Sequence, residues 1–393
     1  MRGRTFVTEW LRQRGRFGFD EWHSNSYYPV TITPLLNLYD FAAKEDFKLK
    51  EMAGSILDYM FFELATDSLQ GVFGTVHART YDNDVKYPDI ENTSPICWVL
   101  YGTGSLVVGP TPMAPVTLAA SRYGLPRILA AIAADNSAVV ESRMRQGMER
   151  AEKRHADFCV YKTPDYLVSG LQDHLKGNRG GLIHPAQVTL KNKVVIFWSC
   201  PDVGFQPDDY WYWSNAALPR VIQHRNVMSL TYRLGGFAWM THCFFERARF
   251  DEARFDGNWG FARVGNGYVG IYSQNGLEIE GDGQYAGREL ICCAPENTWL
   301  VECGRKADWG SFGAFAQALK SARVTARDGV ITYESPSVGV FVTGWDVRPT
   351  VNGAPLKLAD YPMVESPWAH SEFGSGELVL RYGGDTYEIW FNQ

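Results

Sequence analysis

No disulfide framework is written into this chain: its seven cysteines are an odd number, include the adjacent pair Cys292-Cys293, and read as reduced thiols. Basic charge is not in excess either. A net charge of -6 argues against nucleic acid as the main partner, because phosphate binding demands a basic surface. No apolar run reaches membrane-spanning length, so no membrane partner is expected. The first residues carry Arg2, Arg4, Arg12, Arg14 and Arg16 but no apolar core of a signal peptide, which predicts a cytoplasmic protein. Gly102-Thr103-Gly104 with Gly109 misses the dinucleotide spacing, and no phosphate loop occurs. Cys292-Cys293 with Cys303 lacks paired zinc-ligand spacing, so neither metal nor cofactor is assigned. A structural ion held by scattered His and Asp, a Ser-His-Asp triad without a nucleophile elbow, and a homo-oligomer all stay open.

What is there is a chain of 393 residues, 45% hydrophobic and 21% charged, long enough that two domains are the default. Residues 1 to about 155 read as helix. Thr31 to Lys44 puts Ile32, Leu35, Leu36, Leu38, Tyr39 and Ala42 on one face, with Pro34 in a first turn. Asp46 to Ala65 repeats that rhythm through Leu49, Met52, Ala53, Ile56, Leu57, Met60, Phe61 and Leu64, which predicts an αα-hairpin. A polar span from Thr66 to Thr111 follows, then helix over Met113 to Ala134 and again from Ala138 to about Ala156. Helices joined by alternating short and long links suit an (α/α) toroid, with an ordinary bundle as the alternative.

After about residue 157 short β-rich segments take over: Val188 to Phe197, Val227 to Tyr232, Gly267 to Tyr272, Trp299 to Cys303, Gly329 to Tyr333, Val338 to Val342, Glu377 to Tyr382 and Thr386 to Phe391. Separated by turn residues, they predict an antiparallel β-sandwich, with one helix over Ser311 to Ser321. The expected fold class is α+β, a helical domain over residues 1–157 followed by a β-sandwich over 158–393.

Two polar stretches interrupt the helical half, FGFDEWHSNSYY at Phe17 to Tyr28 and GVFGTVHARTYDND at Gly71 to Asp84. Amides and guanidinium groups bind hydroxyls and carboxylates, aromatic faces stack on sugar rings, and His and Tyr move protons, so both stretches suit a carbohydrate cleft. Polar interhelical loops with satisfied hydrogen bonds are the plain alternative. Asn25 before a helix is a natural cap, and Tyr81 has Asp82 and Asp84 as neighbours to bond.

Trp22-His23-Ser24-Asn25 ahead of a helix, with His77-Ala78-Arg79-Thr80-Tyr81 further on, resembles the heparinase II/III and related alginate-lyase class of polysaccharide lyases. FARVGNGYVGIYSQNG at Phe261 to Gly276 and RELICCAPENTWLVECGRKADWGSF at Arg288 to Phe312 are similar to segments of that class's sandwich domain. The resemblance implies β-elimination at a uronic acid, in which the C5 proton is removed and the 4-linked oxygen leaves. C5-H is acidic enough only when the adjacent carboxylate is neutralised by donors. A base must then reach the proton and an acid the leaving oxygen.

By position the resemblance matches Asn25 to the carboxylate-binding amide and Tyr81 to the proton-transferring phenol, with His23 or His77 as the supporting imidazole. His224, flanked by Arg220 and Arg225, is the candidate from the sandwich. Arg79, Trp22, Tyr28, Arg220 and Trp211 are expected to contact an anionic oligosaccharide or polysaccharide. A free tyrosine titrates near about 10, so a basic Tyr81 needs a neighbouring cation such as Arg79. Two features depart from the class. The adjacent Asn-His pair of alginate lyases is not reproduced, and only about twenty residues precede the Asn-bearing stretch, which implies a shortened toroid or an absent N-terminal part. His184 and His242 are assigned to sandwich packing. Two rival readings remain: a glycoside hydrolase using Asp20 and Glu21 with Asp82, Asp84 or Asp89, and a non-catalytic carbohydrate-binding protein with Trp22, Tyr27, Tyr28, Trp211 and Trp213 as a stacking platform.

Overall fold

A computed structural model of the protein describes residues 2–106, 113–148, 155–201, 215–236, 238, 240 and 241–391. Among these the chain is mixed α+β, with helices concentrated in the first third and antiparallel sheets thereafter. Its contacts divide into two units, one of Met1–Phe73, His77–Phe158 and Asp360–Gln393, the other of Gly74–Val76 and Cys159–Ala359. The expected partition at 157 and 158 therefore differs at the far end, where residues 360–393 belong with the helices. Leu378, Leu380, Ile389 and Phe391 explain this, since they are buried in the same core as Ile56, Met60 and Ile132.

In the first unit three long helices carry the core: α1 Arg2–Phe17, α2 Tyr28–Phe41 and α3 Phe47–Thr66. α2 begins earlier than the sequence suggests, with Pro29 in its first turn and Pro34 inside the helix. α3 starts amphipathic and then, from Ile56 to Thr66, is buried all round. Burying each Leu or Ile there contributes about 2 kcal/mol. Asp58 and Glu63 ride into that interior with it, so each must find donors. For Asp58 the donors are the Tyr123 hydroxyl and Tyr387 Oη at 2.6 Å.

Two helical expectations fail in this unit. Met113 to Ala134 is two helices, Met113–Ala120 and Arg127–Ala134, separated at Gly124 and Pro126. Ala138 to Ala156 contains the strand Val140–Gln146, because Val140, Ser142, Met144 and Gln146 alternate inward in the two-residue period of a strand. Val140–Gln146 pairs with Val364–Ser366, followed in order by Ala369–Ser371, Glu377–Tyr382 and Asp385–Trp390.

The second unit is built of antiparallel sheets. One runs Glu278–Ile279, Glu289–Cys292, Thr241–Phe244, Val194–Ser199, Ala186–Leu190, Tyr166–Leu171. Another runs Glu252–Asp256, Trp259–Val264, Gly267–Ser273, Glu296–Arg305, Val227–Arg233, Arg220–His224. Val188, Ile196 and Trp198 of the first share one core with Leu230, Ile271 and Val301 of the second. The segment Val188 to Phe197, expected as one strand, is a hairpin, turned by Asn192 and Lys193 at φ of 58° each. The helix Phe312–Ser321 forms as expected, capped by the Ser311 side chain.

Candidate functional site

The two polar stretches meet in the first unit. Gly18, at φ 67°, ends α1 and lets Gln146 approach to where a Cβ would stand 2.8 Å from its Cγ. The following turn forces His23 to φ 46°, a left-handed backbone that costs a non-glycine residue about 1 kcal/mol. That strain aims the His23 carbonyl at His77, whose Nδ1 donates to it. Around this point the stretches close like a zipper. Ala78 N donates to Trp22 O at 3.0 Å, Ser24 Oγ to Arg79 O at 2.7 Å, and Ser26 Oγ to Asp84 Oδ2 at 2.6 Å. Asn25 Nδ2 reaches Asp84 O at 3.4 Å.

Beneath the zipper lies a sealed polar layer centred on Glu63 of α3. Its carboxylate accepts from Tyr28 Oη and Gln146 Nε2, and His23 Nε2 stands 3.1 Å from Oε1. His23 is itself packed between the rings of Phe73 at 5.0 Å and Phe158 at 4.8 Å. Burial and the Glu63 charge push the Tyr28 phenol far above its ordinary range, so it remains a donor. Trp22 lies against Phe158 at 6.0 Å. Trp22 and Tyr28, expected to stack on a sugar, are thus interior rings, placed there by the apolar company of the helices on either side.

Above the zipper lies an accessible layer. Arg79 Nη1 donates to Tyr27 Oη at 2.8 Å, its guanidinium lies 5.4 Å from the Tyr27 ring, and Glu21 Oε2 is 3.9 Å from Nε. Tyr81 is 38% exposed and neighbours both Tyr27 and Arg79. Burial and a hydrogen bond with Tyr27 raise its pKa, and Arg79 offsets this only in part. The expectation that Arg79 would make Tyr81 a base is therefore corrected: the phenol holds its proton. Burial likewise raises Asp84, against the hydrogen bond from Ser26.

Asn25 is 2% exposed and lies between these layers, its Oδ1 buried with no hydrogen-bond partner among the described residues. An orphaned buried acceptor costs about 1–3 kcal/mol, and such groups mark strain or function. His23 and His77, at 0% and 1% exposed, are interior imidazoles. A carbonyl only accepts, so His77 carries a hydrogen on Nδ1.

The remaining expected residues lie in the second unit or outside the described chain. Arg220 Nε and Nη2 meet Asp173 at 2.9 Å each, and Nη1 donates to Gly344 O and Val347 O at 2.6 Å each. It is a structural clamp. His224 ends the strand Arg220–His224 and pairs with Val227 across a turn in which Arg225 takes φ 53°. Trp211 and Trp213 lie outside the described residues. Among the described residues no group of three or more His, Cys, Asp or Glu is placed to hold a metal ion. No helix there is long and apolar enough to cross a membrane.

Sequence reasoning missed Glu63 and Gln146, and named Tyr27 only for a stacking platform. A carboxylate inside the apolar run LDYMFFELAT was a signal for the first. Tyr27 sat inside a stretch already singled out, and Gln146 gave no local sign. No family model, no curated protein and no solved structure matches the chain.

Proposed function

We propose that the protein is a polysaccharide or oligosaccharide lyase, cleaving a uronic-acid-containing glycan by β-elimination on a toroid-and-sandwich scaffold. The observation that supports this best is the zipper itself. It joins the Asn25 amide, the His77 imidazole, the Arg79 guanidinium and the Tyr81 phenol, drawn from two stretches far apart in sequence.

In this reading Arg79 and the Asn25 amide neutralise the substrate carboxylate, which acidifies C5-H. Asn25 can exchange its long 3.4 Å contact with Asp84 O for that role. His77 Nε2 takes the C5 proton, the C4=C5 double bond forms as the C4–O bond breaks, and Tyr81, protonated at rest, supplies the proton to the leaving oxygen. No cofactor enters. The test is a panel of uronate-containing glycans assayed for an unsaturated product absorbing near the ultraviolet edge, with Asn25→Ala and Tyr81→Phe alongside. Product from the parent, lost in both variants, supports the reading. Product retained in both refutes the site, and none from any uronate refutes the reaction.

The burial of Asn25, His23 and His77 favours a second reading, a carbohydrate-binding protein without turnover. There Arg79, Tyr27 and Tyr81 hold an anionic sugar, and oligosaccharide binds with no new double bond.

A further inference from the structure

We propose that the second unit carries its own binding cleft for one sugar ring, separate from the zipper in the first unit. At one end of its strands, Arg233, Gln274, Asn275, Thr298, Arg327 and Trp345 are among the residues that enclose about 200 Å³. Drug-sized ligands occupy pockets of about 300–1,000 Å³, so this space suits a single ring.

The cleft is built rather than incidental. Asn297, buried at the base, accepts from Asn275 N at 3.0 Å and donates to Ser273 Oγ at 3.0 Å, which fixes the turn bearing Gln274 and Asn275. Asn275 Nδ2 donates to Glu296 O at 2.6 Å, holding that turn against the neighbouring strand. On the floor the hydroxyls of Thr231 and Thr298, both buried, are 3.1 Å apart. One wall is the Trp345 indole, with Arg233 and Lys176 each 5.3 Å from its ring. The turn of Arg327, Asp328 and Gly329, where the last two take φ of 50° and 76°, also lines the cleft.

The chemistry of this lining selects the ligand. Arg233 meets Glu296 Oε1 at 3.2 Å and Asp346 Oδ2 at 3.2 Å, so its charge is already balanced and an anion gains little there. Its buried Nε lies 3.2 Å from Glu296 Oε1 and makes no hydrogen bond among the described residues. Amides, paired hydroxyls, two guanidinium groups matched in number by the carboxylates of Glu296 and Asp328, and an indole supply both donors and acceptors, which is what the hydroxyls of a neutral sugar require. An apolar ligand would leave these groups unpaired.

The experiment uses the full chain labelled with ¹⁵N-tryptophan, the Trp345 indole signal being identified by its loss in Trp345→Phe. Glucose, galactose, mannose and xylose are titrated to tens of millimolar, with glucuronate as the charged comparison. We expect at least one neutral sugar to shift the Trp345 signal saturably and more tightly than glucuronate does. Gln274→Ala and Arg327→Ala, both on the rim, should weaken it by about tenfold, and Tyr81→Phe should leave it unchanged. Absence of any saturable shift, equal binding by both rim variants, or loss of binding in Tyr81→Phe would overturn the proposal. A Tyr81→Phe variant that loses lyase activity but keeps this shift separates the cleft from the zipper.

Discussion

Each unit buries an imidazole against a carboxylate, and the two pairs are made in different ways. His242 Nδ1 meets Glu289 Oε2 at 2.6 Å and its Nε2 meets Ser199 Oγ at 2.7 Å, all on adjacent antiparallel strands. Strand register alone aligns those groups. The order Ser, His, Glu copies a nucleophilic triad, yet Ser199 ends the strand Val194–Ser199 and sits on no strand-to-helix elbow of the kind that presents a nucleophile. The His23 and Glu63 pair instead depends on a strained loop, and the separate stretch bonded to that loop carries Arg79 and the exposed Tyr81. A buried pair held by register stabilises; one held by a strained turn also positions groups at the surface.

The strongest way to break the comparison is to remove each carboxylate. Glu63→Ala strands Tyr28, Gln146 and His23 together and is expected to cost about 3–5 kcal/mol in urea unfolding. Glu289→Ala, which leaves the strand register intact, should cost about 2–3 kcal/mol. Equal losses would remove the distinction drawn between loop and register.

Acid and alkali should act on the units in opposite senses. Burial raises Glu91 of the first unit to about 8, so the folded chain binds its proton where the unfolded chain does not. Stability is then full below about 4.5 and falls as pH rises towards 8, and Glu91→Gln should flatten that slope. Burial lowers His184 of the second unit to about 4, against the hydrogen bond its Nε2 donates to Gln187 Oε1. Here the unfolded chain binds the extra proton, so stability is present above about 6.5 and is lost as pH falls towards 4; His184→Gln should remove that loss. Denaturant midpoints at pH 4.5, 6.5 and 8.5 measure both.

The smallest effects refine the contrast. Ser199→Ala should cost about 1 kcal/mol, the worth of one buried hydrogen bond. Tyr81→Phe, at a half-exposed position, should change stability by less than about 0.5 kcal/mol while abolishing any elimination. A large destabilisation by Tyr81→Phe would make that residue structural.

Much of the fold was legible where one period dominated. The apolar rhythm from Leu49 to Leu64 marked α3, and alternation with turn residues marked Gly267–Ser273 and Glu377–Tyr382. VESRMRQ was misread because a helical context suggested continuation, although its own alternation was that of a strand. The site was legible as two stretches and illegible as geometry. Trp22 and Tyr28 look exposed in a polar string, yet the rings beside them draw both inward.

The sequence by itself determined the residue classes: a helical first part, β-rich later segments, and two polar interruptions holding imidazole, amide, guanidinium and phenol groups. Only the tertiary structure decided that these interruptions meet, that Glu63 lies beneath them, and that residues 360–393 return to the helical core. The reason is physical. Periodicity records which side of an element avoids water, whereas a hydrogen bond between Ser24 and Arg79 depends on where the backbone of every intervening residue has gone.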